Sequence, residues 1–96
     1  MDDWPFNDPP DFATITTRAI MHDDDWIALV SHDAEDGAWQ FLGPDGAPAI
    51  DDGMVVCLHH LLEKDRLVAE LADLPLGWRA WRETASNPWQ RAPHDV

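Results

Sequence analysis

Apolar positions along this chain follow two periods, and the change from one to the other divides the sequence into elements. Between residues 53 and 83, Val55, Leu58, Leu61 and Leu62 recur at helical spacing, and after Asp65 so do Leu67, Val68, Leu71 and Leu74. This predicts two short helical segments, each with one apolar stripe. Helices of this length are marginal in water, so both stripes must be buried against the strands on either side. Asp51 and Asp52 stand just before the first segment, where they suit its cap and the positive end of its dipole. Asp65 suits the cap of the second and puts a break after Lys64. The sequence Leu74-Pro75-Leu76-Gly77 then stops it, because a residue before proline avoids the helical region and glycine tolerates the turn.

The strands show a different pattern. Residues 26–32, WIALVSH, are apolar on both parities, which predicts a central strand covered by the helices on one face and the N-terminal arm on the other. An acidic turn ending in Gly37 predicts a hairpin with glycine at positive φ. The returning strand alternates, so Trp39 and Phe41 share one face as a core pair. Pro44-Asp45-Gly46-Ala47-Pro48 is turn chemistry. Residues 77–83 put Trp78, Ala80 and Arg82 on one side and Arg79, Trp81 and Glu83 on the other. One of these tryptophans is expected in the core and the other under an arginine or the tail. Residues 13–21 read as a further strand, although Ala19 to Met21 also suit a helical turn. Prolines make residues 1–12 and 84–96 extended arms, the first either laid across the domain or disordered, the second anchored by Trp89. The expected fold is therefore one α+β domain over 1–96 with its core in 13–83: a three- to four-stranded, mainly antiparallel sheet packed on one face by two short helices.

Composition sharpens this reading. Six tryptophans, three phenylalanines and no tyrosine make indole the main bulky surface available for burial. No apolar run approaches a membrane span and no basic stretch precedes an apolar one, so a cytoplasmic protein is the default. The single cysteine, Cys57, fits a reducing compartment and reads as a small buried hydrophobe. Charge is the most informative quantity. Residues 1–53 carry thirteen carboxylates against Arg18 alone, a net of −12, and residues 54–96 carry six against five bases, a net of −1, which together give the chain its −13. Such a field repels nucleic acid and anionic membranes and attracts basic proteins. It sets no oligomeric state.

Candidate chemistry is sparse. His59 and His60 with Cys57, or His22 and His32 with nearby aspartates, invite a metal reading, but neighbouring histidines on a helix diverge by about 100° and the usual zinc spacings are missing. Neither acidic run has the order of a calcium loop. No nucleophile elbow, phosphate-binding loop or dinucleotide fingerprint is present. These patterns point to a non-enzymatic protein with no cofactor and no metal. A tryptophan-lined groove for a peptide or small ligand is the alternative.

The order Glu35-Asp36-Gly37, Trp39, Phe41, then Val55, Val56, Leu58 and Leu61, then Asp65, then Leu74-Pro75, Gly77 and Arg82 resembles the bacterial immunity-protein-33-type domain. The likeness covers roughly residues 26–83, rests on structural motifs, and departs at Trp78 and Trp81. It implies a small α+β protein made beside a toxin that it neutralises by binding. On that expectation Asp23, Asp24, Asp25, Asp33, Glu35 and Asp36 face a basic partner, and Trp81 anchors the contact.

Overall fold

The computed structural model describes residues 4–45 and 50–93. The chain is an α+β domain. Its strands are β1 (Ala13–Thr17), β2 (Leu29–His32), β3 (Trp39–Leu42), β4 (Gly53–Cys57), β5 (Trp78–Trp81) and β6 (Gln90–Pro93). Among the described residues are also two α-helices, α1 (Arg18–His22) and α2 (Leu58–Lys64), and two short 3-10 helices, Ile50–Asp52 ahead of β4 and Arg66–Leu71 after α2. All six strands form one sheet in the order β4-β1-β3-β2-β5-β6. The β1–β3 pair is parallel and the other four pairs are antiparallel, so the sheet is mixed and wider than the three or four strands expected.

Two of the extra strands come from stretches read differently in the sequence. Residues 53–57 were expected to open a helix, yet they form an edge strand paired with β1 from Ala13↔Cys57 to Thr17↔Gly53. The physical reason is pairing with β1: the period of Val55 and Val56 allows helix or strand, and their branched side chains accept the pleated surface that β1 offers. Helix α2 therefore begins only at Leu58. The C-terminal segment, expected as an extended tail, adds β6 along β5. Residues 13–22 realise both readings in turn, a strand and then one helical turn capped by the Thr17 hydroxyl, which accepts the Ile20 N–H at 3.1 Å. The Gly46-Ala47-Pro48 part of the expected turn lies outside the described residues.

One face of the sheet carries the core. Val30, Trp39, Phe41 and Ala80 point into it from the strands, and Leu58, Leu61, Val68, Leu71 and Leu74 meet them from α2 and the segment after it. The break after Lys64 is formed as expected: Asp65 is extended, and its carboxylate accepts the Leu67 N–H at 3.0 Å. Only eight residues separate this cap from the stop at Leu74-Pro75, and the first six of them, Arg66–Leu71, wind as a 3-10 helix, the form short helical pieces adopt.

The N-terminal arm packs on this same face, not on the opposite one. Phe6 is buried edge-on against Trp39, with ring centroids 5.2 Å apart. Asp8 accepts the Trp39 indole N–H through its carboxylate at 2.8 Å and the Trp4 indole N–H through its carbonyl at 2.7 Å. Further along the arm, the Phe12 and Pro10 carbonyls accept the first two N–H groups of α2 at 2.9 and 3.0 Å. They satisfy donors that a helix of this length cannot satisfy itself. The opposite sheet face is left uncovered by the arm.

Alternation puts Arg82 on one side with Trp78 and Ala80 without saying which side is the core, and the structure buries it almost fully, at 3% exposure. Its Nε donates to the Ile27 carbonyl at 2.9 Å, its Nη2 pairs with the Asp65 carboxylate, and its guanidinium stacks 4.1 Å from the Trp89 ring. Trp89 in turn donates to the Leu67 carbonyl at 3.0 Å. A second tie, Arg91 to Asp73 at 2.7 Å, holds β6 to the end of the 3-10 helix. The hydrogen bond from Arg91, followed by its charge, lowers the Asp73 pKa from its ordinary 3.8.

Three outcomes follow from this packing. Trp39→Ala removes a core aromatic worth ~3–5 kcal/mol and should abolish folding or lower Tm by more than 10 °C in a thermal melt, at roughly 4–8 °C per kcal/mol. Asp65→Ala removes a helix cap and strands a buried cation, so Tm should fall by on the order of 10 °C or more. Because folding depresses the Asp73 pKa, its tie to Arg91 contributes above the unfolded value and is lost as pH falls through the folded one. Hydrogen-exchange protection factors of β6, read against β5, should hold at neutral pH and drop below pH 3.8, and Arg91→Ala should remove that dependence.

Candidate protein-binding surface

Strand register sorts the loops into two groups. The pairs Thr17↔Gly53, Leu29↔Leu42 and Leu29↔Trp81 mark one end of the sheet. The pairs Ala13↔Cys57, His32↔Trp39 and His32↔Trp78 mark the other. At the first end lie the 23–25 turn that leads to β2, Asp45 after β3, Asp51 and Asp52 before β4, and Glu83 after β5. The second end holds the 33–38 hairpin loop, Gly77 and the junction of β4 with α2.

The first end is strongly acidic. Asp23, Asp24, Asp45, Asp51, Asp52 and Glu83 are exposed there, and Asp25 is half-buried. The turn is held by the Asp23 and Asp25 N–H groups, which both donate to the Ala19 carbonyl, at 2.9 and 3.1 Å. Asp24 between them takes φ 61°, a left-handed conformation that aspartate tolerates better than most side chains. The Asp25 carboxylate folds over Gly43, where a Cβ would stand 2.5 Å from its Oδ2. Asp51 and Asp52 do not cap a helix, since a strand follows them, and they join the exposed acids instead. Lys64 shares a cleft of about 360 Å³ with Asp24, Asp25, Trp26 and Asp65.

The 33–36 loop belongs to the opposite end. Asp33 accepts the Gln40 side-chain amide at 3.1 Å, Asp36 accepts the Ala38 N–H at 3.0 Å, and Gly37 takes φ 74° as its place in the turn predicts. Both aspartates thus help build the hairpin, while Glu35 is free in solvent. His32, Asp33, Glu35, Asp36, Gly77 and Trp78 line a cleft of about 350 Å³. The single surface expected from Asp23, Asp24, Asp25, Asp33, Glu35 and Asp36 is therefore not formed. Strand β2 and its lead-in separate the two loops by about 13 Å or more at 3.3 Å per residue, beyond the ~8 Å over which physiological salt screens exposed charge.

Trp81 goes with the first end. Register places Thr17, Leu42, Leu29 and Trp81 in one row across the face opposite the helices, with Thr17 and Leu42 buried, and Val55, Ile15, Gln40, Ser31 and Arg79 in the next. Trp81 is half-buried, with the Arg79 guanidinium 5.5 Å from its ring. Val55 is 71% exposed and Ile15 38%. The face combines apolar residues with one cation and borders the acidic end.

The other indoles serve the fold. Trp39 is in the core, Trp4, Trp78 and Trp89 pack against it, and Trp26 lies 6.0 Å from the Arg82 guanidinium. The clefts described above each reach one indole, Trp26 or Trp78, which supplies a single stacking face. One cluster that spacing argued against does come together: Cys57, His59 and His60 each offer a ligand atom within 4.8 Å of the others. Reading 55–62 as a continuous helix spread these groups apart, whereas the real junction keeps Cys57 extended ahead of the first helical turn. No protein-family model, curated protein or solved structure matches this chain.

Proposed function

We propose that this chain is a small acidic, non-enzymatic binding protein of the cytoplasm that neutralises a basic bacterial toxin domain by direct contact. The observation that carries the reading is the convergence of Asp23, Asp24, Asp25, Asp45, Asp51 and Asp52 on one end of the sheet, beside Trp81. A concentrated negative field speeds encounter with a basic protein and covers the surface with which such a protein holds phosphates. Trp81 supplies the anchor, and half-buried Leu29 in the same row, with exposed Ile15 and Val55 in the next, supplies apolar area around it. The resemblance in residues 26–83 to immunity-protein-33-type domains supports the same role. Asp33, Glu35 and Asp36 fall outside this contact, because their loop serves the hairpin at the far end.

The test is binding to a basic toxin domain, whose gene this reading expects beside this one, measured by stopped-flow association and calorimetry. Asp23→Lys, Asp24→Lys and Asp25→Lys together should slow association by tenfold or more at low salt, with Tm changed by only a few degrees. The corresponding lysine set at Asp33, Glu35 and Asp36 should leave the on-rate unaltered. Trp81→Ala should weaken the complex by about 2 kcal/mol, chiefly in the off-rate. Absence of binding by the unaltered protein, or equal effects of the two charge reversals, rules the reading out.

A further inference from the structure

We infer that Cys57, His59 and His60 form a binding site for a zinc-class divalent metal ion, at the end of the sheet opposite the acidic surface. Three observations meet there. One ligand atom from each residue lies within 4.8 Å of the other two, close enough for a small movement to bring all three onto one ion. The His60 Nδ1 is shut off from solvent and has no hydrogen-bond partner, although buried polar atoms are almost always paired. The two imidazole rings lie 4.1 Å apart between centroids, so one ion can take both as neutral ligands.

The surroundings favour a metal over chance proximity. Cys57 ends β4 and precedes α2, and its backbone is fixed by the ladder to Ala13. Pro10 accepts the His59 N–H at 3.0 Å, so the arm also holds the first helical turn in place. Glu63 lies one turn on and its Oε2 is 3.0 Å from the His59 Nδ1. A carboxylate on one ring nitrogen sets the tautomer and leaves the other nitrogen as a ligand, the usual outer partner of a metal-bound histidine. One thiolate and two imidazoles suit zinc and its cobalt substitute better than magnesium or calcium, which take oxygen ligands. Three protein ligands leave a fourth position for water or for a donor from outside the chain.

The full chain should be titrated with cobalt(II) and the absorption spectrum followed. A single site should give a thiolate-to-cobalt charge-transfer band and the visible bands of tetrahedral cobalt, both abolished by one equivalent of zinc(II). Cys57→Ser should remove the charge-transfer band. His59→Ala and His60→Ala should each weaken binding by tenfold or more, and Glu63→Gln by about 10–100-fold. Affinity should fall as pH is lowered, because thiolate and imidazole bind only when deprotonated. Circular dichroism should show each variant folded; Glu63 is exposed and His59 half-exposed, so at least those two test the site with the fold intact. The inference is overturned if the unaltered chain shows no charge-transfer band, or if Cys57→Ser and Glu63→Gln bind cobalt as the parent does. A six-coordinate spectrum unaffected by these substitutions would assign the metal to surface carboxylates and likewise overturn it.

Discussion

The buried guanidinium of Arg82 is the contact on which the arrangement of this domain depends. A charged side chain at 3% exposure is costly to desolvate, and this one is held by partners on Nε and Nη2 and by an aromatic face, while its Nη1 is buried without a partner. Here the partners come from separate parts of the chain: the Ile27 carbonyl ahead of β2, the Asp65 carboxylate between the helices, and the Trp89 ring ahead of β6. Arginine can do this because its fork donates in the plane while its flat faces stack, which lysine cannot reproduce. Asp65 is used twice, once on Arg82 and once as the cap of the 3-10 helix. The charge thus fixes the position of the helical segment over the sheet, and with it the entire core face.

With one face of the sheet occupied by the helices and the arm, the remaining surfaces divide by topology. Parallel pairing of β1 with β3 brings the end of β1, the start of β2 and the start of β4 to the same side. That single pairing collects acids scattered from position 23 to position 52. It also separates them from the hairpin acids and from the cysteine–histidine cluster. The molecule has two chemically different ends, one rich in free carboxylate and one with nitrogen and sulfur donors close together.

Much of this was legible in the residues. Trp39 and Phe41 showed their core face by alternation, Asp65 its break, and Gly37 its turn, because each depends on interactions within a few positions. What escaped was set by partners far away in sequence. Val55 and Val56 fit a helical period as well as a strand, and only the presence of β1 alongside decides between them. The burial of Arg82 could not be read either, since Asp65 and Trp89 are brought to it by the fold. The same holds for the acidic end: net charge showed that the first half of the chain was acidic, but not that β2 would divide its two loops. Cys57, His59 and His60 could be named from the sequence, but their approach depends on Cys57 being extended ahead of the helical turn, which the helical period of 55–62 does not show.

The strand order also governs how the domain assembles. Only β2 with β3, and β5 with β6, join neighbours in sequence; β1 lies between β3 and β4, and β2 pairs with β5 across some fifty intervening positions. Each distant pairing closes a long loop before it gains contacts, and such topologies fold slowly. During synthesis β1 emerges before the other five strands and has nothing to join until β3, the first of its neighbours, has left the ribosome. Its alternate positions Thr14 and Thr16, buried in the finished protein with their hydroxyls bonded to the Val56 and Phe41 carbonyls, can meanwhile remain hydrated. Threonine at these positions gives the waiting strand less exposed grease than valine or isoleucine, and so a lower tendency to stick to other nascent chains.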